Sequence, residues 1–265
     1  MLQSIQHFYS SSRENLKGKW TGMAGITLGF LLLYQSLQVI LNLIFVGSLV
    51  YFSDLQIATG TYTFSSFIVL LICTCIFAIA ISFMLAPMPW SYQILFLRNK
   101  RGERYGFSSI FSGYKDFFRV AGTSLLLSGY IVFWVCYFVL PFVAFSAIFC
   151  MSFPLLGIIA KPILFFVGLV VADIIIIAKG ISYCLTPYIL YDYPNLKYDA
   201  AIELSKAMMK GHKWQMFRLT LTFVGYSMIS LITLNIAFLW LAPYMCATMA
   251  NFYEVLKENY IQKQA

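Results

Sequence analysis

Charge is what this chain has least of. Residues 21–53, 55–97 and 120–160 contain no Lys, Arg, Asp or Glu, and charged residues make up 11% of the 265. A soluble domain carries about 25%, because water-facing groups must cover its core, so a soluble domain of this length is excluded. Polar–apolar alternation is missing too. Runs such as Ile174-Ile175-Ile176-Ile177 are continuously apolar, which excludes a spanning β-barrel, whose strands alternate between lipid and lumen. Histidine is scarce: His7 and His212 have no partner at metal-ligand spacing. There is no G-x-S-x-G, no G-x-x-x-x-G-K-[ST] and no pair of carboxylates in an apolar setting. The expectation is a non-enzymatic protein with no metal and no cofactor. No cleavable leader is expected, because the apolar run after Lys19 is far longer than a signal-peptide core and lacks an A-x-A-like site. The six cysteines (73, 75, 136, 150, 184 and 246) sit in or at the ends of apolar stretches and form no secreted disulfide framework. Cys73 and Cys75 point to roughly opposite faces of a helix and cannot share a metal.

What is present is apolar length. The chain is 61% hydrophobic with mean hydropathy +0.81, and a bilayer core needs about 20 apolar residues per helix. The sequence predicts an all-α, polytopic six-helix transmembrane bundle forming one domain over 1–265. A surface helix is expected over about 4–17, with Ile5, Phe8, Tyr9, Ser12 and Leu16 on one side. Spans follow at about 23–51, 64–85, 120–150, 163–188, 217–233 and 236–253. Lys17-Gly18-Lys19-Trp20 breaks the chain before the first span, and the connection from 53 to 61 is short. Pro87 and Pro89 disturb the end of the second span, and Trp90 and Tyr92 suit an interfacial aromatic belt. A weak loop is expected at Lys161-Pro162, and a tight turn near Thr233-Leu234-Asn235.

Segments 98–119 and 191–216 read as cytoplasmic. Within the second, 195–210 is an amphipathic helix. Asp199, Glu203, Lys206, Lys210 and Lys213 form one stripe, Ile202, Ser205, Met209 and Met216 fall near the other side, and Gly211 is the residue after its end. With six spans, sixteen of the eighteen Lys and Arg residues lie on one side; the others are Lys161 and Lys179. The positive-inside rule then puts both termini in the cytoplasm of a bacterial cell. Basic, aromatic entries recur at Lys17-Gly18-Lys19-Trp20, Tyr114 to Arg119, and Lys210 to Trp214. Proline–aromatic breaks recur at 86–90, 186–188 and 242–244. Three hairpins, each introduced by a surface helix, account for both series; ordinary interfacial composition is the alternative.

Two sets of residues are candidates for function. Asp173 and Lys179 are the charges well inside an apolar span, where charge is costly and marks ion or substrate pathways or structural pairs. Six residues apart, they lie about 120° apart around a helix. Lys17, Lys19, Trp20, Lys115, Arg119, Lys206, Lys210, Lys213 and Trp214 form a basic, aromatic surface suited to an anionic leaflet or to a membrane or cytoplasmic protein partner. Nothing resembles a soluble basic module for nucleic acid. Gly25-x-x-x-Gly29, preceded by Gly22, permits close helix packing within the bundle.

Ser12-Arg13-Glu14-Asn15-Leu16-Lys17-Gly18, Phe111-x-x-Tyr114-Lys115-Asp116-Phe117, Thr186-Pro187-Tyr188 with Asp192-Tyr193-Pro194, Met208-Met209-Lys210-Gly211, Phe217 with Leu219, and Ala242-Pro243-Tyr244 through Phe252-Tyr253 carry a resemblance. They resemble a family of bacterial polytopic membrane proteins catalogued only as a domain of unknown function. The resemblance implies a six-helix integral membrane protein, often of Gram-positive-type bacteria, and brings no activity or catalytic residues. The architecture is distantly similar to the membrane domain of some glycerophosphodiester phosphodiesterases, without their catalytic part. The expected function is an envelope accessory or scaffold touching anionic lipid or a partner; the alternative is a transporter or channel for a small or amphipathic solute. An intramembrane enzyme acting on lipid has no motif behind it.

Overall fold

The computed structural model describes residues 5–59, 64–152 and 154–264, and among them there is no strand. The helices are α1 (Ile5–Leu16), α2 (Trp20–Ala58), α3 (Phe64–Leu85) and α4 (Pro87–Lys100), then a 3-10 segment (Phe107–Asp116). After it come α5 (Phe117–Ser152), α6 (Pro154–Tyr183), α7 (Thr186–Asp192), α8 (Tyr198–Met208), α9 (Lys213–Ile232) and α10 (Phe238–Gln264). The all-α class is as expected, but the count of six spans is not reproduced. Among the described residues, four segments are long and apolar enough to cross a membrane: Trp20–Asp54, Ile68–Lys100, Phe107–Ser146 and Phe166–Asp192. α9 falls short because Lys213, Arg218 and four Ser or Thr residues dilute it, and α10 because it runs on through Glu254, Lys257 and Glu258. Two expected loops are absorbed into helices. α2 continues to Ala58, residues 60–63 lying outside the described ones, and α6 passes through Lys161 and Pro162. The side chain of Lys161, expected opposite the other cations, also lies outside the described set. Proline is tolerated there because an apolar segment in lipid has no alternative to helical hydrogen bonding.

The chain divides into two compact units, Met1–Leu125 with Leu219–Ala265, and Leu126–Arg218. In the first, the core is not built from the long apolar helices but from α4, the surrounding ends of α1, α2 and α10, and the 3-10 segment. α4 begins at Pro87, where a missing N–H costs nothing, and ten of its fourteen residues are buried. Trp90 and Tyr92 are therefore core residues rather than a lipid-facing belt. Tyr92 stacks on Phe30 with centroids 4.4 Å apart and shares a 2.8 Å hydrogen bond with Thr27. At about 1.5 Å per residue, the 22 residues of α3 already span ~30 Å of hydrocarbon, so α4 is length left over for protein packing.

The 3-10 segment repeats every three residues. That period puts Phe107, Ile110 and Gly113 on one side: Ile110 is fully buried, and the Gly113 N–H donates to Ser91 Oγ of α4 at 2.7 Å. A Cβ on Gly113 would sit 2.5 Å from that hydroxyl and 3.0 Å from the Pro87 carbonyl oxygen. Gly29 on α2 clears space for the Phe107 ring, whereas Gly22 and Gly25 face open space.

α1 turns Phe8, Ser12 and Leu16 onto α10 rather than onto lipid. Phe8 meets Phe252 edge-on at 5.4 Å. Asn251 Nδ2 donates to Ser12 Oγ at 2.7 Å, Asn15 Nδ2 donates to Asn251 Oδ1 at 3.0 Å, and Lys19 Nζ donates to Asn99 Oδ1 at 2.9 Å. Arg101 pairs with Glu254 at 2.7 Å, and Arg98 with Glu103 at 3.0 Å. The turn before α10 uses positive φ at Leu234 and Asn235, closed by Asn235 N–H donating to the Ser230 carbonyl at 2.8 Å.

In the second unit, α8 packs on α6 and α7. Its apolar stripe, Ile202, Ser205 and Met209, is buried, while Asp199, Glu203, Lys206 and Lys210 stay exposed. Ser205 Oγ donates to the Ser182 carbonyl of α6 at 3.0 Å. α1 and α8 are built alike. Ser12 and Leu16, like Ser205 and Met209, are fully buried, and Gly18 and Gly211 both hold positive φ, +76° and +87°, that favours glycine. Beyond these cores the long helices are bare. Leu32 and Leu43 on α2, Ile76 on α3, Leu140 and Phe145 on α5, and Phe166 and Ile174 on α6 are all more than half exposed, an apolar surface that suits lipid and not water.

Candidate functional site

The second unit holds a pocket of about 500 Å³ assembled from four elements. α5 contributes Tyr130, Phe133 and Trp134, and α6 contributes Lys179, Ser182 and Tyr183. Both triplets have i, i+3, i+4 spacing, which places side chains on one helix face. Lys206 enters from the exposed stripe of α8, and Lys213 from the first residue of α9.

The cations are held by rings. Lys179 Nζ stands 3.4 Å from the centroid of the Trp134 ring. Lys206 Nζ lies 5.1 Å from Tyr130 and 5.4 Å from Tyr183, whose rings are 6.4 Å apart. Such contacts contribute roughly 0.5–2 kcal/mol each, more where water is excluded. Two ammonium groups thus stand over three aromatic rings, Lys213 and Phe133 complete the lining, and no carboxylate is among the lining residues. Like charges brought together repel unless an anion joins them. The arrangement can bind an anion, with aromatic and aliphatic surface left for an apolar extension.

The structure separates the residues singled out in the sequence. Lys179, Lys206 and Lys213 converge on this pocket, whereas Asp173 is exposed elsewhere on α6 and is not in the lining. Lys210 is exposed in the turn after α8, and Trp214 is two-thirds exposed and stacks on Phe217 at 5.3 Å. In the other unit Lys17 and Lys115 are exposed and Arg119 is half-buried. Lys19 is tied to Asn99 and also stands 5.7 Å from the Tyr105 ring, and Trp20 packs on Tyr244 at 6.2 Å. Tyr130, Phe133, Trp134 and Tyr183 were not singled out in the sequence; their signal is the aromatic i, i+3, i+4 triplet on α5, matched by Lys179 and Tyr183 one turn apart on α6. Cys73, Cys75, Cys136, Cys184 and Cys246 are free. Among the described residues, no three His, Cys, Asp or Glu side chains gather as metal ligands.

Compared with known proteins, residues 3–260 match the model of one family, described as "Protein of unknown function (DUF975)". No curated protein and no solved structure matches, so the distant likeness to the phosphodiesterase membrane domain gains no support from them.

Proposed function

The chain belongs to the DUF975 family of unknown function, and on that premise we propose that it is a multi-pass protein of the bacterial cell membrane that binds an anionic phospholipid. It acts as a non-enzymatic envelope accessory or scaffold, not as a catalyst. Both termini are cytoplasmic, as the distribution of basic segments implies. The bare apolar helices stand in lipid. The observation that carries this reading is the convergence of Lys179, Lys206 and Lys213 on one aromatic pocket whose lining has no carboxylate. A phosphate there satisfies three cations at once, and acyl chains continue along the apolar face of α5 and α6. Lys210 and Trp214 lie beside the pocket in sequence and add contacts to the leaflet.

Native mass spectrometry of the detergent-solubilised protein, titrated with phosphatidylglycerol, tests it. Each lysine near an anionic headgroup contributes about 1 kcal/mol, or about fivefold in affinity. The K179Q/K206Q/K213Q variant is therefore expected to lose one tightly retained phosphatidylglycerol, its apparent Kd rising about a hundredfold. Equal retention by the variant and the unaltered protein would refute the assignment. The transport reading needs Asp173 and Lys179 to act together; with Asp173 outside the pocket lining, a flux assay is expected to show no effect of Asp173→Asn.

A further inference from the structure

We infer that the unit made of residues 1–125 and 219–265 contains a second lipid site, with a single cation, in which Arg13 clamps the phosphate of a phospholipid while an acyl chain fills the cleft lined by α9 and α10. This inference uses different residues from the three-lysine pocket and stands or falls independently of it.

Two adjoining cavities meet at Arg13, Tyr226 and Tyr244, which line both. The first, about 300 Å³, is walled by Trp20, Ile229, Ala237, Trp240 and Leu241, with the small hydroxyl of Ser230. The second, about 380 Å³, is walled by Gln6, Tyr9, Ser10 and Thr222. The first cavity is thus almost wholly apolar, the second adds amide and hydroxyl groups to a still mostly apolar wall, and Arg13 stands at the junction as the ionised group in either lining. That division matches a phospholipid: a chain in the apolar cavity, a polyol headgroup among the amide and hydroxyl groups, and the phosphate between them. A planar guanidinium offers phosphate two parallel N–H donors.

Arg13 is exposed on α1 and lines both cavities beside Tyr244, whose hydroxyl donates to the Tyr9 carbonyl at 3.5 Å. The Tyr244 ring is wedged among Trp20 at 6.2 Å, Phe223 at 5.6 Å and Tyr9 at 6.2 Å, so little order remains to be imposed on binding.

The site also has the same plan as the three-lysine pocket. Arg13 follows the buried Ser12 of α1 just as Lys206 follows the buried Ser205 of α8. Tyr226, Ile229 and Ser230 on α9 have the spacing of Tyr130, Phe133 and Trp134 on α5, and each series starts with a Gly-Tyr pair. Each entry helix thus presents a basic residue at a pocket partly walled by a Gly-Tyr helix of its own unit.

The test uses phosphatidylglycerol brominated on its acyl chains, added to the full-length protein in detergent. Quenching of Trp240 is read as the difference from a Trp240→Phe variant. Arg13→Gln is expected to raise the quenching midpoint about fivefold, the contribution of one cation near a headgroup. Arg13→Lys is expected to keep most of the affinity, and K179Q/K206Q/K213Q to leave the midpoint unchanged. Ala237→Phe, which narrows the apolar cavity without touching Arg13, is expected to reduce the quenching amplitude. An unchanged midpoint in Arg13→Gln overturns the site. So does equal quenching by brominated diacylglycerol, which has the chains but no phosphate, or full displacement of the lipid by inorganic phosphate, which has no chain.

Discussion

Asn251 shows what a single polar residue does in this chain. It lies in a helix, is 2% exposed, and joins Ser12 and Asn15 across more than 230 residues of sequence. Truncating it leaves Asn15 Nδ2 without that acceptor, and each lost buried hydrogen bond costs about 1–3 kcal/mol. Asn251→Ala is expected to lower the Tm in detergent by several degrees, whereas substitution of the exposed Lys17 leaves it unchanged within a degree or so; differential scanning fluorimetry reads both. Nothing local in the sequence announces the Asn251 network, because its partners are distant and a lone Asn between Ala250 and Phe252 reads as an interfacial residue. Lys19 was ambiguous in the same way. A lysine before an apolar run suggests a headgroup contact, yet its ammonium is committed to Asn99. Lys179 was legible as a charge out of place, but its partner is the Trp134 ring, not Asp173. Aromatic rings are so common here that no one of them stands out as a cation's partner.

At the scale of elements, patterns with a period were legible and sites of burial were not. The buried and exposed stripes of α8 follow the alternation of its sequence, and the turn at 233–235 falls where the apolar length exceeds one span. α4 was read as a proline-disturbed span end whose Trp90 and Tyr92 meet the interface, not as a buried helix, for a physical reason. A helix buried in protein and one buried in lipid are equally apolar, so hydropathy joins α3 and α4 into one stretch, and only Pro87 marks the division. The glycines sharpen the point. Gly211→Ala places a Cβ on a residue with φ of +87°, and Gly18→Ala does the same at +76°; strain of about 1–2 kcal/mol is expected for each. Gly113→Ala is expected to cost more, because the new methyl meets the Ser91 hydroxyl and the Pro87 carbonyl rather than open space. Thermal melts of the three variants should rank Gly113→Ala lowest. If it melts with the native protein, the 3-10 segment is not docked on α4 as described.

At the scale of the whole molecule, the chain keeps its protein–protein packing near its basic segments and leaves its long apolar helices bare. Lipid tails are as apolar as leucine, so helices within a bilayer gain little from hiding apolar surface. Polar networks, ion pairs and buried short helices do the packing where water is near. The two proposed lipid sites lie at basic residues of these packed regions, where a phosphate can meet a cation while its chains stay apolar. All of this requires the basic segments to share one face of the membrane. Single cysteines at Ile57, Arg104, Lys210 and Lys263 in a cysteine-free background, probed with a membrane-impermeant maleimide on intact cells, test that most directly. Ile57 is exposed just past the end of the first membrane-length segment, so the expected result is labelling of Ile57→Cys from outside, and of the other three only after the membrane is opened. Labelling of Arg104→Cys or Lys210→Cys on intact cells would contradict it.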